Sequence, residues 1–228
     1  MIKDYPKRVF CKHAILLLGS LLIPTSLFSN EKVNKLLLGN VTVNGKKISK
    51  DSYINLDKET EIITKSDLAI VKNNSNGFLI RPNTKIRFFE NKIVELIKGS
   101  VHGIFGKQEN ELKIKTPRGN IGIRGTVTYI EHEESYNRTY VCNCYGETAV
   151  YDLNMKKLKT LISKYHSPVI IDKDNKIQSS PYDYPLNHYD DNIANIENEF
   201  ANIILFGFIF LLQIEKSNIC NPKVAGSW

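Results

Sequence analysis

Between residues 40 and 152 apolar side chains come in short runs of three to five, and no long stretch repeats with a period of 3.6. The runs fall at 41–43, 61–64, 68–71, 78–80, 85–89, 93–97, 101–105, 112–114, 127–130, 140–144 and 149–151. Turn signals separate them: Asn44-Gly45, Asn73-Asn-Ser-Asn-Gly77, Arg81-Pro-Asn83, Lys98-Gly99 and Pro117-Arg-Gly119. Runs of that length punctuated by glycine, proline and asparagine are strands, since a helix needs a longer amphipathic stripe. The expected fold is all-β, with about ten strands in a sandwich, a roll or a short β-solenoid.

The ends differ from this body. Lys3, Lys7, Arg8 and Lys12 precede an uncharged run at 14–23, and small and polar residues follow to Ser29. This is the layout of a secretory signal peptide. Ten residues make a helix of only about 15 Å, half a hydrocarbon core. Residues 1–29 are therefore expected to be a leader, and the mature chain to be exported to the periplasm. No lipobox is present, because Cys11 lies before the apolar run. Removing the leader takes the net charge from +7 to near +4, with lysines scattered among acidic residues. No basic stripe interleaved with aromatics is visible, so nucleic acid is not an expected partner.

Beyond 152 the sequence is expected to be irregular to residue 199, with a short extended piece at 169–171 and a short helix from Asp190 to Phe200. The uncharged segment 200–214 follows, with Glu197 and Glu199 before it and Lys216 and Lys223 after it. As a helix it reaches about 22 Å, short of a full span. It is either an anchor at the inner membrane or an apolar segment packed on the domain. Residues 215–228 carry no interpretable signal.

No catalytic cassette is present. There is no Gly-x-Ser-x-Gly, His-Glu-x-x-His or P-loop, and Gly119-x-x-Gly122-x-x-Gly125 is not followed by a helix pattern. A non-enzymatic role is expected, with no cofactor required. Cys142 and Cys144 are two apart, so on a strand they project from one face with Cα atoms about 6.6 Å apart. That distance is near the upper limit for a disulfide. Three readings stay open: a strained bridge, a soft-metal site completed by His166, His188 or His132, and two thiols packed as small hydrophobes. Arg118 and Arg124 flank glycines that permit close backbone approach. They could grip an anion or a partner; the preferred alternative pairs Arg124 with Glu131 or Glu133 while Gly125 makes a tight bend.

From about Gly39 to Asp152 the chain resembles the FecR domain family. The most specific stretch is Ile114-Lys-Thr-Pro-Arg-Gly-Asn-Ile-Gly-Ile-Arg-Gly-Thr126, close to that family's Thr-Pro…Arg-Gly-Thr signature. Arg118, Arg124, Gly125 and Thr126 are thereby implied as a partner or fold signature. Tyr140-Val-Cys-Asn-Cys-Tyr-Gly146, His166-Ser-Pro168 and Asn187-His-Tyr-Asp190 are similar to a group of stand-alone, signal-peptide-bearing FecR-like proteins. The resemblance implies an extracytoplasmic binding or sensing module with a protein partner in the cell envelope. Its alternative is an envelope metal- or haem-binding protein using Cys142, Cys144 and His166. Only thirteen residues precede the first apolar run, so the sigma-factor binding of the best-known family members is not expected.

Overall fold

The computed structural model describes residues 34–188 apart from 57, 91, 108, 109 and 183. The expected leader 1–29, the helix at 190–200, the apolar segment 200–214 and the tail 215–228 lie outside the described residues. Among the described residues no helix is long and apolar enough to cross a membrane.

Fourteen strands form one sheet: β1 (Asn34–Leu38), β2 (Val41–Val43), β3 (Lys46–Ile48), β4 (Thr60–Ile63), β5 (Ala69–Asn73), β6 (Asn76–Ile80), β7 (Lys85–Phe89), β8 (Ile93–Phe105), β9 (Leu112–Thr116), β10 (Gly119–Glu133), β11 (Arg138–Tyr151), β12 (Lys157–Ser163), β13 (Ser167–Ile171) and β14 (Ile177–Ser179). The expectation of an all-β fold holds. The main path runs β14-β13-β11-β10-β9-β8-β7-β4-β2-β3, with β12 on β11, and β6, β5 and β1 branching from β8. The tight Asn44-Gly45 turn joins β2 to β3 with φ of 47° and 80°, the primed hairpin geometry that matches strand twist.

Three long strands organise this sheet, and each changes neighbours partway along. The first half of β8 pairs with β7 and its second half with β6. β10 pairs with β9 over Gly119–Ile123 and with β8 over Thr126–His132. β11 pairs with β13 over Thr139–Asn143 and with β12 from Gly146 onward. Gly99, Gly125 and Gly146 sit at these changeovers with φ of 81°, 127° and 83°. Side chains rarely adopt such angles, so glycine lets the strand bend without ending. Gly125 makes the tight bend expected of it, whereas Lys98-Gly99 does not end a strand. The runs 93–97 and 101–105 are instead one strand, as are 140–144 and 149–151.

The stretch after 152 is also more regular than expected. β12, β13 and β14 extend the sheet from β11, so the sheet continues past Asp152. The hydrogen bonds that β11 offers along that edge find strand partners there rather than water.

Alternation assigns the two faces. Ile130, Val141, Val169 and Ile171 point into the main core, where Phe78 meets Phe88 and Phe105 edge-on at 5.1 and 5.4 Å. Val127, Tyr129, Tyr140, Cys142, Cys144 and Ile170 point the other way into a second buried cluster. The candidate site lies in that second cluster.

Candidate metal centre

Cys142 and Cys144 are alternate residues of β11, not joined to each other as a disulfide, and both are fully buried. His166 comes from the turn between β12 and β13, where the Tyr165 N–H donates to Ser163 Oγ at 2.9 Å. Because Cys142 lies opposite Pro168 in the β11–β13 register, that turn delivers the imidazole to the thiols. His166 Nδ1 stands 3.5 Å from Cys142 Sγ.

The fourth group arrives from beyond the last strand. His188 Nε2 lies 3.2 Å from His166 Nδ1. The His188 Nδ1–H donates to the Leu186 carbonyl at 2.6 Å, which leaves a lone pair on Nε2 facing the site. Its ring stacks on Tyr129 at 4.3 Å with an interplanar angle of 11°. One donor atom from each of Cys142, Cys144, His166 and His188 lies within 4.8 Å of the other three, so the set could hold one metal ion.

Those separations suit tetrahedral zinc. Bonds of about 2.3 Å to sulfur and 2.0–2.1 Å to nitrogen put ligand atoms about 3.3 Å apart for two nitrogens, 3.6 Å for nitrogen and sulfur, and 3.8 Å for two sulfurs. The 3.2 and 3.5 Å edges match, and the remaining ones lie within 4.8 Å, so a contraction of at most about 1 Å would close the set on an ion. The chemistry agrees. A hydrogen bond from Cys144, followed by those from His166 and His188, holds the Cys142 thiol well below its ordinary pKa despite burial. Thiolate is the ligating form. Burial pushes the neighbouring Tyr129 and Tyr140 phenols up, with the Glu131 charge adding to the first and Cys142 to the second. A fifth group, His102, places Nε2 3.7 Å from Cys144 Sγ. It pairs with Tyr129 across β8 and β10, and so shares the cysteines' face, a register that only the folded sheet shows.

His132, the other candidate ligand, is excluded by strand phase. Tyr129 opposes Cys142, so His132, three residues on, points to the opposite face. There its Nδ1 meets Thr139 Oγ1 at 3.3 Å. Burial keeps its imidazole below the usual pKa. The unfolded chain therefore takes up a proton at a higher pH than the folded one. Stability is complete above about pH 6.5 and falls as pH drops from there through the folded value. His132→Gln is expected to remove that share of acid sensitivity, read as a smaller loss of urea midpoint between pH 7.5 and pH 5. A variant as acid-sensitive as the parent would contradict it.

The arginine signature is placed differently. Arg124 Nε is 3.6 Å from Glu111 Oε2, and the side chain is 70% exposed. It does not pair with Glu131 or Glu133. Seven or more residues of strand put those carboxylates about 23 Å or more away, beyond the Gly125 bend. Glu133 instead takes two bonds from Arg138 at 3.0 and 2.8 Å, and Glu131 accepts from Tyr129 at 2.7 Å. Arg118 donates to the Lys173 carbonyl at 3.1 Å. Thr126 is buried, and its single hydroxyl proton is shared between Asn143 Oδ1, 2.7 Å away, and the Tyr145 carbonyl. Asn143 Nδ2 in turn reaches the Gly146 and Leu161 carbonyls at 2.8 and 3.0 Å. Gly125 and Thr126 thus hold the paired bends of β10 and β11, directly behind the cysteines.

No family model matches the chain, and no curated protein does. Among solved structures, two crystal structures of a candidate anti-sigma factor from Parabacteroides distasonis ATCC 8503 resemble it. The 2.50 Å structure aligns with a TM-score of 0.46 and 13% identity over 54% of this chain and 59% of that one. The 1.65 Å structure gives 0.45 and 15% over 53% and 58%. The chain covers less than two thirds of either, and the chemistry of the centre rests on its own atoms.

Proposed function

We propose that the chain is a non-enzymatic binding and sensing domain of the FecR kind, exported to the cell envelope, whose Cys142–Cys144–His166–His188 centre holds one zinc ion. The observation that carries the metal assignment is the convergence of four soft and borderline donors from three separate elements within 4.8 Å. Two sulfurs and two nitrogens in a tetrahedral array suit zinc, and full coordination by protein leaves no open position for substrate. Such a site stores folding or signalling free energy rather than activating water. Export is supported by the basic leader and its short apolar run, and an envelope protein partner by the Thr-Pro…Arg-Gly-Thr stretch. Segment 200–214 is a candidate membrane attachment.

Native mass spectrometry of protein purified without chelator is expected to show one zinc per chain and a mass lacking the leader. Cys142→Ser should bind zinc at least about a hundred-fold more weakly, since a neutral hydroxyl replaces a thiolate. Metal-free protein whose melting temperature is indifferent to added zinc or copper(I) would overturn the metal assignment. Recovery only from the cytoplasm would overturn the placement in the envelope.

A further inference from the structure

We infer that the ion is also the clasp of a movable strap, so that zinc occupancy sets the position of the segment following β14 and, with it, the exposure of an aromatic face. This deepens the zinc reading and rests on it. Three of the four ligands belong to the sheet or its turns. The fourth, His188, belongs to a segment that leaves β14 at Ser179 and crosses the outer face of β10 and β11. Between Ser180 and His188 no described residue joins a strand ladder.

Side chains at a few points hold it instead. Arg138 Nη2 donates to Tyr182 Oη at 2.8 Å. The Leu186 N–H donates to Tyr140 Oη at 3.1 Å, and Asn187 Nδ2 donates to Glu131 at 3.0 Å. Tyr184, between these anchors, is 64% exposed. Single hydrogen bonds that compete with water are individually weak, and Tyr182 and Leu186 are only partly buried, so this attachment is looser than a strand ladder. A metal–nitrogen bond at the far end is far stronger, so the ion decides whether the strap stays down.

Beneath the strap lie Val127, Tyr129, Tyr140 and Ile170, all buried and packed with Leu186 and Tyr182. Loss of zinc frees His188, and with it the clamp on Tyr129. The strap then lifts, and the sheet presents apolar and aromatic side chains that the holo form hides. The device turns ion occupancy into a change of surface.

Linkage makes this testable without touching a ligand. If the strap delivers His188, every contact that holds the strap must strengthen zinc binding by the factor by which zinc strengthens the contact. Tyr182→Phe and Asn187→Ala, in the full chain, are each expected to weaken zinc about three- to ten-fold. Their cobalt(II) absorption spectra should stay unchanged, because all four ligands remain. In the parent, hydrogen exchange at 180–188 should rise at least about ten-fold on chelation while β5–β8 stay protected.

Zinc bound stoichiometrically with unchanged exchange at 180–188, or with unchanged affinity in both variants, overturns the clasp and leaves the metal centre standing. Chelated protein in which 180–188 exchanges as slowly as β5–β8 also overturns it, since the strap would then open only with the whole fold. A purified protein with no zinc affinity removes the centre itself.

Discussion

Removing zinc with a strong chelator is expected to lower the melting temperature by about 8–16 °C, measured against protein with free zinc at roughly a thousand times its dissociation constant. A ligand at that excess contributes about 4 kcal/mol, and each kcal/mol moves the midpoint of a domain this size by about 2–4 °C. The sign follows from the donor geometry. In the folded chain the four donors already lie within 4.8 Å of one another, whereas the unfolded chain must gather residues from 142 to 188. His166→Ala and His188→Ala should each cut most of the zinc-dependent increment. His132→Ala should leave that increment intact while lowering the baseline, because its ring lies on the other face. An equal loss of the increment in all three variants would show that zinc acts on the fold at large rather than at this centre. Scans with copper(I) in place of zinc test metal preference by the same readout.

Gly99→Ala is expected to destabilise the protein by about 2–5 kcal/mol, combining left-handed strain with overpacking against backbone. Gly99 has φ +81°, and an added Cβ would lie 2.7 Å from Thr84 Cα and 2.9 Å from the Asn83 carbonyl oxygen. Neither is the end of a flexible side chain, so the chain itself would have to move. Thr84 cannot give way freely. It is fully buried, accepts from the Ser100 N–H at 3.0 Å, donates to the Ser100 carbonyl at 3.1 Å, and is tied through its own N–H to Thr64 Oγ1 at 3.0 Å. Gly45→Ala supplies the control. Its φ is +80° but its Cβ position has nothing within 4 Å, so it should lose only the conformational share, about 1–2 kcal/mol. Urea titration of both zinc-loaded variants decides the matter. Equal losses at the two glycines would mean that the close approach to Thr84 carries no weight.

The same glycines mark where sequence reading stopped. At Asn44-Gly45 a positive φ ends one strand and starts another. At Gly99, Gly125 and Gly146 it bends a strand that continues. Locally these positions look alike, because the difference lies in whether a neighbouring strand accepts the hydrogen bonds beyond the glycine. The bends of β10 and β11 do find such neighbours, and the Thr126–Asn143 bonds lock them together. The strands beyond 153 are hidden in the sequence for a related reason: β12 is polar along most of its length and shows its strand character only when β11 pairs with it.

By itself the sequence determined the all-β class, the Asn44-Gly45 hairpin, and the placement of Cys142 and Cys144 on one face. Each depends on short-range geometry: run length, turn chemistry and the two-residue period of a strand. The tertiary structure decided which histidines join the thiols. His132 is the nearer along the chain, yet its strand phase turns it to the opposite face. His166, His188 and His102 reach the cysteines because the β11–β13 register, the course of the segment after β14 and the β8–β10 register bring them there. Those are properties of the assembled sheet, and no local pattern encodes them.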